Sequence, residues 1–217
     1  MNLNTINEIA SELFLALKNQ ETIQPLSEKY EDININDAYQ ISRKFLSLRE
    51  DRGEKVIGKK IGVTSSVVQE MLGVNQPDFG FLTNEMQVKN KSNFSIVDSR
   101  IDDWKIKIQD TIADNASCGI FVLGDGSSSP EKFPMDELEV IVYKNGEFLS
   151  SGFGSAVQGH PAEAVAWLAN TLGEYDIPLL KGEFILSGSL VPLEPARAGD
   201  NFSLELKGVG TCEINFI

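Results

Sequence analysis

The first fifty residues alternate apolar and polar positions with the period of a helix. An apolar face recurs at helical spacing in Ile6, Ile9, Leu13, Phe14 and Leu17. Thr5 followed by Glu8 has the form of a capping box, which predicts the start of this first helix. A second amphipathic helix is predicted to begin near Asn36 or Asp37 and to stop by Gly53. The N-terminal part of the chain is therefore predicted to be helical.

The pattern changes at Lys55, where short apolar runs alternate with glycine and proline. VIGKKIG predicts a strand, SSVVQEMLG a short helix closed by Gly73, and NQPDFGFLT a loop rich in residues that interrupt regular structure. Loops held between regular elements often carry binding groups. We therefore expect functional side chains in this stretch.

The second half of the chain predicts mainly strands. Asn145 and Gly146 supply the two positive-φ positions of a type I′ turn, so DELEVIVYKNGEFLSSG predicts a β-hairpin. A helix is predicted from about Pro161 to Leu172, ended by Gly173, and the strand-like runs EFILSGSL, NFSLELKG and TCEINFI follow. Helices early and strands late indicate an α+β fold with a rolled, predominantly antiparallel sheet. We divide it into a helical N-terminal lead-in, residues 1–54, and a β-roll domain, residues 55–217.

Composition and charge narrow the classes of function. The chain has 217 residues, with 41% hydrophobic and 24% charged, which are ordinary values for a globular domain. Its net charge of -13 argues against nucleic acid as a partner, because such proteins need clustered Lys and Arg. The N-terminal stretch does not have the pattern of a secretory signal, and no run is long and apolar enough for a membrane span. With two cysteines, Cys118 and Cys212, a reducing cytoplasm is the expected compartment.

Short catalytic motifs do not identify a reaction. The sequence has no Walker A loop, GxGxxG, HExxH or GxSxG pattern. His160 is the only histidine and precedes Pro161 at a predicted helix start, where a local hydrogen-bonding role is favoured over catalysis. A Ser-His-Asp triad is correspondingly disfavoured.

Three longer blocks carry a family resemblance. The stretches GKKIGVTSSVVQEMLGVNQPDFGFLT, VDSRIDDWKIKIQDTIADNASCGIFVLGD and LSGSLVPLEPARAGD resemble the bacterial 2-hydroxypenta-2,4-dienoate (2-oxopent-4-enoate) hydratases of aromatic meta-cleavage pathways. The resemblance implies a mixed β-roll like the C-terminal domain of fumarylacetoacetate hydrolase. It also implies a lyase that hydrates the dienol acid to 4-hydroxy-2-oxopentanoate, with Mg or Mn chelating the substrate as a Lewis acid.

The same resemblance assigns roles to individual residues. Lys60 in GKKIG matches the family's active-site lysine, and Asp78 in QPDFG matches its loop aspartate. Because a dienol is ketonised by moving a proton, a desolvated lysine beside a carboxylate suits the reaction. The alternative is a surface lysine paired with an aspartate that caps a loop. Ser117, Ser187 and Ser189 lie in blocks that face the substrate, where hydroxyl groups could bind its carboxylate; their alternative role is turn formation.

The family's metal ligands have no counterpart in this sequence. Family members carry a Glu-x-Glu pair and a third Glu between the QPDFG and VDSRI blocks. Here FLTNEMQVKNKSNFSI leads directly into VDSRI, so that the acidic segment is absent between about residues 92 and 97, and Ser95-Ile96 stands where the third Glu is expected. Glu137 and Glu139 alternate onto one strand face, but we predict a solvated face there and assign no metal ligands.

Two explanations of this gap are open. Either the sequence omits an internal segment of the biological protein, or the chain is a shortened relative that has lost the metal-dependent reaction. Omission is favoured, because deleting core strands exposes unpaired edges. The alternatives to a hydratase are a 2-oxo-3-hexenedioate decarboxylase and a non-catalytic subunit that partners the decarboxylase or the downstream aldolase. The resemblance also implies a homo-oligomer.

Overall fold

The computed structural model describes residues 1–88, 94–124 and 126–217. Its helices are α1 (Leu3–Asn19), α2 (Leu26–Lys29), α3 (Ile35–Glu50), α4 (Ser66–Leu72), α5 (Ile108–Ala113) and α6 (Pro161–Gly173). Its strands are β1 (Val56–Gly62), β2 (Asp78–Thr83), β3 (Gln87–Val88), β4 (Phe94–Val97), β5 (Cys118–Val122), β6 (Glu139–Lys144), β7 (Glu147–Phe153), β8 (Phe184–Leu186), β9 (Asn201–Leu206) and β10 (Gly210–Asn215). No helix in these ranges is long and apolar enough to cross a membrane.

The strands form three small sheets, with orders β2-β1-β8, β3-β5-β4 and β10-β9-β6-β7. The four-stranded sheet is antiparallel throughout, whereas β1 runs parallel to β8 and β3 runs parallel to β5. The predicted hairpin is confirmed: Asn145 and Gly146 both have positive φ between β6 and β7. The α+β class with mainly antiparallel pairing is therefore confirmed.

The two predicted N-terminal helices exist, but each begins earlier than predicted. The capping box at Thr5 and Glu8 was wrong: the N-cap of α1 is Asn2, whose side chain accepts a hydrogen bond from the Thr5 N–H. In α3 the N-cap is Asn34, and Asp37 completes a reciprocal capping box. Asn and Asp cap helices as well as Ser and Thr do, so several starts were compatible with the sequence.

One apolar cluster joins the helices to the first sheet. It contains fully buried side chains from α1, α3, β1, β2 and α6, including Ile9, Leu13, Phe45, Ile61, Phe79 and Leu168. Residues 1–54 therefore pack on the β1–β2 pair, the pair that carries Lys60 and Asp78. The division at residues 54 and 55 stays a prediction.

The prediction of a loop over NQPDFGFLT was wrong from Asp78 onward. Residues 78–83 form β2, which is buried at every position and pairs antiparallel with β1. Phe79 and Phe81 belong to the apolar cluster, while Asp78 and Gly80 alternate to the other face. Tertiary burial overrode the weak strand propensity of Asp and Gly.

Candidate active site

The pairing of β1 with β2 places Lys60 and Asp78 on one face of the sheet. Lys60 is opposite Gly80 and Gly62 is opposite Asp78, so the two ionisable residues are diagonal cross-strand neighbours. Lys60 is 7% exposed and Asp78 is 1% exposed. The alternative of a surface lysine paired with a loop-capping aspartate is therefore wrong, because both residues are buried.

The two adjacent lysines of β1 have different partners. Lys59 Nζ lies 2.6 Å from each carboxylate oxygen of Glu183, which makes a buried ion pair between β1 and the turn before β8. Lys60 Nζ instead donates to the Ala116 carbonyl oxygen at 2.9 Å. An ammonium group has three N–H donors, so a neutral carbonyl leaves Lys60 with capacity for a ligand.

Asp78 is a buried carboxylate whose hydrogen-bonding capacity is unused. Neither of its oxygens has a hydrogen-bond partner among the described residues, and the nearby Thr111 hydroxyl donates to the Ile108 carbonyl. Burial raises the pKa of Asp78, and the positive charge of Lys60 opposes that rise only in part. Desolvation thus shifts Asp78 toward its neutral form, on the same face as a lysine.

A strained turn supplies the carbonyl that holds Lys60. Asn115, Ala116 and Ser117 follow one another with φ of 58°, 54° and 45°, a left-handed run that costs backbone energy at each residue. The Asn115 side chain holds the turn against β2, because its Oδ1 accepts from the Phe81 N–H at 2.7 Å and its Nδ2 donates to the Phe81 carbonyl at 3.0 Å. Such strain persists only where surrounding contacts enforce it.

A buried ion pair anchors the same turn from its N-terminal side. Arg100 Nε donates to Asp114 Oδ1 at 2.5 Å, and its guanidinium also donates to the main-chain oxygens of Asp98, Asp114 and Cys118. Asp114 is fully buried, and its other oxygen accepts from Ser99 Oγ. This network links the VDSRI block to the ADNAS block, a link that neither block reveals in isolation.

The three predicted serines occupy different surroundings. Ser117 is buried in the strained turn, with its hydroxyl 3.5 Å from Ser99 Oγ. Ser187 follows Leu186, which pairs with Lys60 across β1 and β8, so the LSGSL block reaches the site. Ser189 Oγ donates to the Val191 carbonyl at 2.6 Å, which is the turn-forming role. Substrate contact by all three stays a prediction.

Two residues near the site were not anticipated. Val63 has φ of 57°, an unusual value for a β-branched residue, and it directs the chain from β1 to Thr64. The Thr64 hydroxyl is buried without a hydrogen-bond partner in the described part of the chain, and Gly188 lies directly against this side chain. A buried hydroxyl without a partner beside a strained backbone marks a candidate ligand contact. The feature that marks this contact is the positive φ of Val63, and a backbone angle cannot be read from the sequence.

The described residues do not fit a divalent metal. They contain no group of three or more His, Cys, Asp or Glu side chains that could hold an ion. Glu137 is exposed in the turn before β6, and Glu139 begins β6 and accepts from Lys207 Nζ at 2.6 Å, so the expected placement of both on one strand face was wrong. The position of the missing acidic segment, about residues 92 to 97, begins outside the described residues. Asp78 alone offers too few oxygen ligands for Mg²⁺.

His160 has the local role that its position predicts. It is the N-cap of α6, and its Nδ1 accepts from the Ala162 N–H at 3.0 Å. It lies 4.0 Å from the Asp136 carboxylate on a partly exposed surface.

Asp78→Asn is expected to stabilise the protein near neutral pH. A carboxyl whose pKa is raised on folding stabilises the native state only while it is protonated, and this stability is lost as pH rises through the raised pKa. The variant should therefore unfold at a higher urea concentration than the unsubstituted protein at pH 8. The gain should shrink as the pH falls toward 3.8, the ordinary pKa of an aspartate. Urea titrations at pH 5 and pH 8 measure it, and an equal gain at both would contradict the explanation.

Comparison with known proteins supports the family resemblance. The family model described as fumarylacetoacetate (FAA) hydrolase C-terminal matches residues 96–217. A 2-hydroxyhexa-2,4-dienoate hydratase from Comamonas testosteroni is 47% identical over 94% of each chain. A 2-hydroxypent-2,4-dienoate hydratase from Pseudomonas putida is 44% identical over 82% of this chain and 100% of the relative.

A solved structure extends the likeness to the whole fold. The 4-oxalocrotonate decarboxylase of Pseudomonas putida G7, complexed with magnesium and adipate, has a TM-score of 0.92 at 27% identity, covering 100% of this chain and 99% of that one.

The alignments with the hydratases also reveal a shortfall inside this chain. The Comamonas alignment is 249 positions long, whereas 94% of 217 residues is about 204, so about 45 positions have no residue here. The Pseudomonas alignment has 222 positions against about 178 residues, a shortfall of about 44. The two matches cover 94% and 82% of this chain, which belongs to the 2-hydroxypenta-2,4-dienoate hydratases of the fumarylacetoacetate hydrolase C-terminal family.

Proposed function

We propose that the protein is a hydratase that adds water to 2-hydroxypenta-2,4-dienoate and forms 4-hydroxy-2-oxopentanoate in the catabolism of aromatic compounds. The identities of 47% and 44% with enzymes named as dienoate hydratases support this assignment. The structural observation that carries it is the buried pair of Lys60 and Asp78, in which a lysine and an acid share one face without forming an ion pair with each other. That arrangement suits ketonisation, in which the 2-hydroxyl group of the dienol loses a proton and a carbon of the conjugated system gains one.

In this proposal Lys60 and Asp78 move protons during ketonisation. Burial raises the pKa of Asp78, which favours its protonated form and suits the role of general acid. Lys60 remains oriented by the Ala116 carbonyl, and its other N–H donors can bind the oxygen at carbon 2 as negative charge develops there. The nearby serines and Thr64 are the candidate contacts for the substrate carboxylate.

We attribute the family's metal site to the segment that this chain lacks. The decarboxylase of similar fold is complexed with magnesium, and the described residues here hold no comparable cluster. The complete hydratase is then a form of the protein that carries the additional segment of about 45 residues. The 217 residues retain the half of the site that transfers protons.

The remaining assignments follow the family and the composition. We propose a cytoplasmic homo-oligomer: two cysteines, Cys118 and Cys212, are too few for a disulfide framework and fit a reducing compartment, and the family resemblance implies the oligomer. A pathway decarboxylase or the downstream aldolase is the proposed partner for transfer of a reactive intermediate. The alternative functions are a 2-oxo-3-hexenedioate decarboxylase, for which the TM-score of 0.92 is the favouring observation, and a non-catalytic subunit.

The test begins with the intact mass of the protein expressed from its own gene. A mass above 23.9 kDa identifies the longer form. That form is assayed with the pentadienoate and with the hexenedioate, and carbon dioxide is measured separately. Hydration of the pentadienoate without carbon dioxide release is expected. Carbon dioxide from the dicarboxylate, with no turnover of the pentadienoate, would replace the hydratase by the decarboxylase.

Replacement of the two neighbouring lysines should separate catalysis from stability in the same assay. Lys60→Met keeps much of the apolar stem and removes the ammonium group, so turnover should fall by roughly two or more powers of ten with little change in melting temperature. Lys59→Met is the matched control: it leaves Glu183 buried without its cation, so melting temperature should fall while turnover by folded protein persists. An active Lys60→Met variant would remove Lys60 from the mechanism.

A further inference from the structure

The strained turn 115–117 lies against the strand residue that faces Lys60. Lys60 pairs with Gly80 across β1 and β2, and cross-strand partners share one face of a sheet. A side-chain carbon on Gly80 would lie 2.4 Å from the Asn115 main-chain oxygen, so the turn approaches the sheet more closely than any other residue at this position would allow. The turn and the lysine therefore meet on one face, at one point of β2.

The backbone preferences of the turn do not account for its position. Ala116 and Ser117 have φ of 54° and 45°, and neither residue type tolerates the left-handed region as well as asparagine does. Contacts from outside the turn must therefore hold the Ala116 carbonyl, which accepts from Lys60 Nζ at 2.9 Å. The ion pair of Arg100 with Asp114 anchors the start of the turn, and a second contact is needed toward β2.

The side chain of Asn115 makes this second contact. Its amide group binds the Phe81 main chain twice, accepting from the N–H at 2.7 Å and donating to the carbonyl at 3.0 Å. β2 is the outer strand of the sheet β2-β1-β8, so its main chain is open to a partner on the side away from β1. Asn115 is 3% exposed, which limits competition from water. The amide thus takes the place of a neighbouring strand and fixes the distance between the turn and β2.

We propose that Asn115 is a positioning residue for Lys60. Through its two bonds to Phe81 it keeps the Ala116 carbonyl where Lys60 Nζ binds it, and this contact determines where the other N–H donors of the ammonium group point. Asn115 acts on the reaction through Lys60 and not by touching the substrate. The inference rests on the proposed function for the role of Lys60 in turnover, whereas the position of the lysine is measured without turnover.

The first test measures the reactivity of two adjacent lysines in the 217-residue chain. Asn115→Gly removes the amide and tolerates the positive φ. After brief treatment with acetic anhydride, tandem mass spectrometry measures acetylation of Lys59 and Lys60 separately. Lys60 should react roughly fivefold faster or more, because it loses a hydrogen bond made by a charged group. Lys59 should be unchanged, because Glu183 still holds it. No increase at Lys60, or an equal increase at both lysines, would overturn the proposal.

Two further variants control for general loosening of the sheet. Asn84→Gly is the matched control: Asn84 Oδ1 accepts from the Lys55 N–H at 2.6 Å near the other end of the β1–β2 pair, and its loss should leave Lys60 reactivity unchanged. Gly80→Ala keeps the Asn115 side chain but pushes the turn away from β2, so it should raise Lys60 reactivity. If Asn115→Gly does not fold, Gly80→Ala decides, and an unchanged Lys60 in that folded variant would overturn the proposal.

The second test measures turnover by the longer form of the protein. Asn115→Gly should lower kcat by roughly ten- to a hundredfold with little change in KM, because it displaces a group that acts in the transition state. Added to Lys60→Met, the same change should cause no further loss, whereas a general structural defect would lower turnover again. Full turnover by Asn115→Gly would overturn the proposal. A selective rise in Lys60 reactivity, with a longer form that does not hydrate the pentadienoate, would support the positioning of Lys60 and count against the hydratase.

Discussion

A protein of these 217 residues is expected to show neither a rise in melting temperature with Mg²⁺ or Mn²⁺ nor hydratase turnover. Hard cations need several oxygen ligands, and the described residues contain no cluster of three acidic or metal-binding side chains. Asp78 is the buried carboxylate at the site, and one carboxylate is too little for a dedicated metal site. Differential scanning fluorimetry with millimolar metal, beside a direct assay, measures both properties.

The longer form should behave in the opposite way. With metal at a hundredfold excess over its Kd, mass action should add ~2.7 kcal/mol to the unfolding free energy, and a chelator should remove both this gain and the activity. A chain of verified mass 23.9 kDa that binds Mg²⁺ tightly and turns over would contradict this account. Glu137 and Glu139 would then be the first ligands to replace, despite the Lys207 partner of Glu139.

Arg100→Met should be among the most destabilising single substitutions in this protein. The change leaves Asp114, which is fully buried, without its cation, and loss of one partner of a buried pair costs about 3–5 kcal/mol. It also leaves the main-chain oxygens of Asp98 and Cys118 without their donor. Urea denaturation at pH 7 measures the loss of unfolding free energy.

Two comparisons isolate the cause of that loss. Asp114→Asn added to Arg100→Met removes the unpaired charge and should recover a substantial part of the stability. Lys29→Met breaks the ion pair with Glu12, in which both side chains are more than a third exposed, and should cost no more than ~1 kcal/mol. A similar small cost for Arg100→Met would show that the ion pair does not hold the strained turn.

Local patterns were sufficient for most elements of the fold. Periodicity located α1, α3 and α6, and the Asn145-Gly146 turn located the β6–β7 hairpin, because each depends on residues close in sequence. β2 was missed because Pro77, Asp78 and Gly80 suggest a loop. Its burial depends on an apolar cluster shared with α1, α3 and α6, which are distant from it in sequence. The short strands β3 and β4 have too few residues for a recognisable period.

The candidate site was predictable only where a family motif marks it. Lys60 and Asp78 were chosen by resemblance, and the fold places them on one face of adjacent strands. The anchors of the turn, Arg100, Asp114 and Asn115, were not singled out, because their hydrogen bonds join segments that periodicity cannot relate. The contrast between Lys59 and Lys60 likewise required knowledge of Glu183, a partner 124 residues away.

The tight packing around β1 protects the chemistry against slippage of the strand. A shift by one residue that moves Lys59 into the place of Lys60 would put the wrong lysine in the site and turn Lys60 to the opposite face. Gly58 lies against the Phe184 main chain and Gly62 against the Asp78 carboxylate, and neither place has room for a side-chain carbon. The shifted strand would force Ile57 and Ile61 into those two places. The order Gly-Lys-Lys-Ile-Gly therefore fixes the register of β1, because steric overlap excludes the shifted pairing that would bring Lys59 into the site.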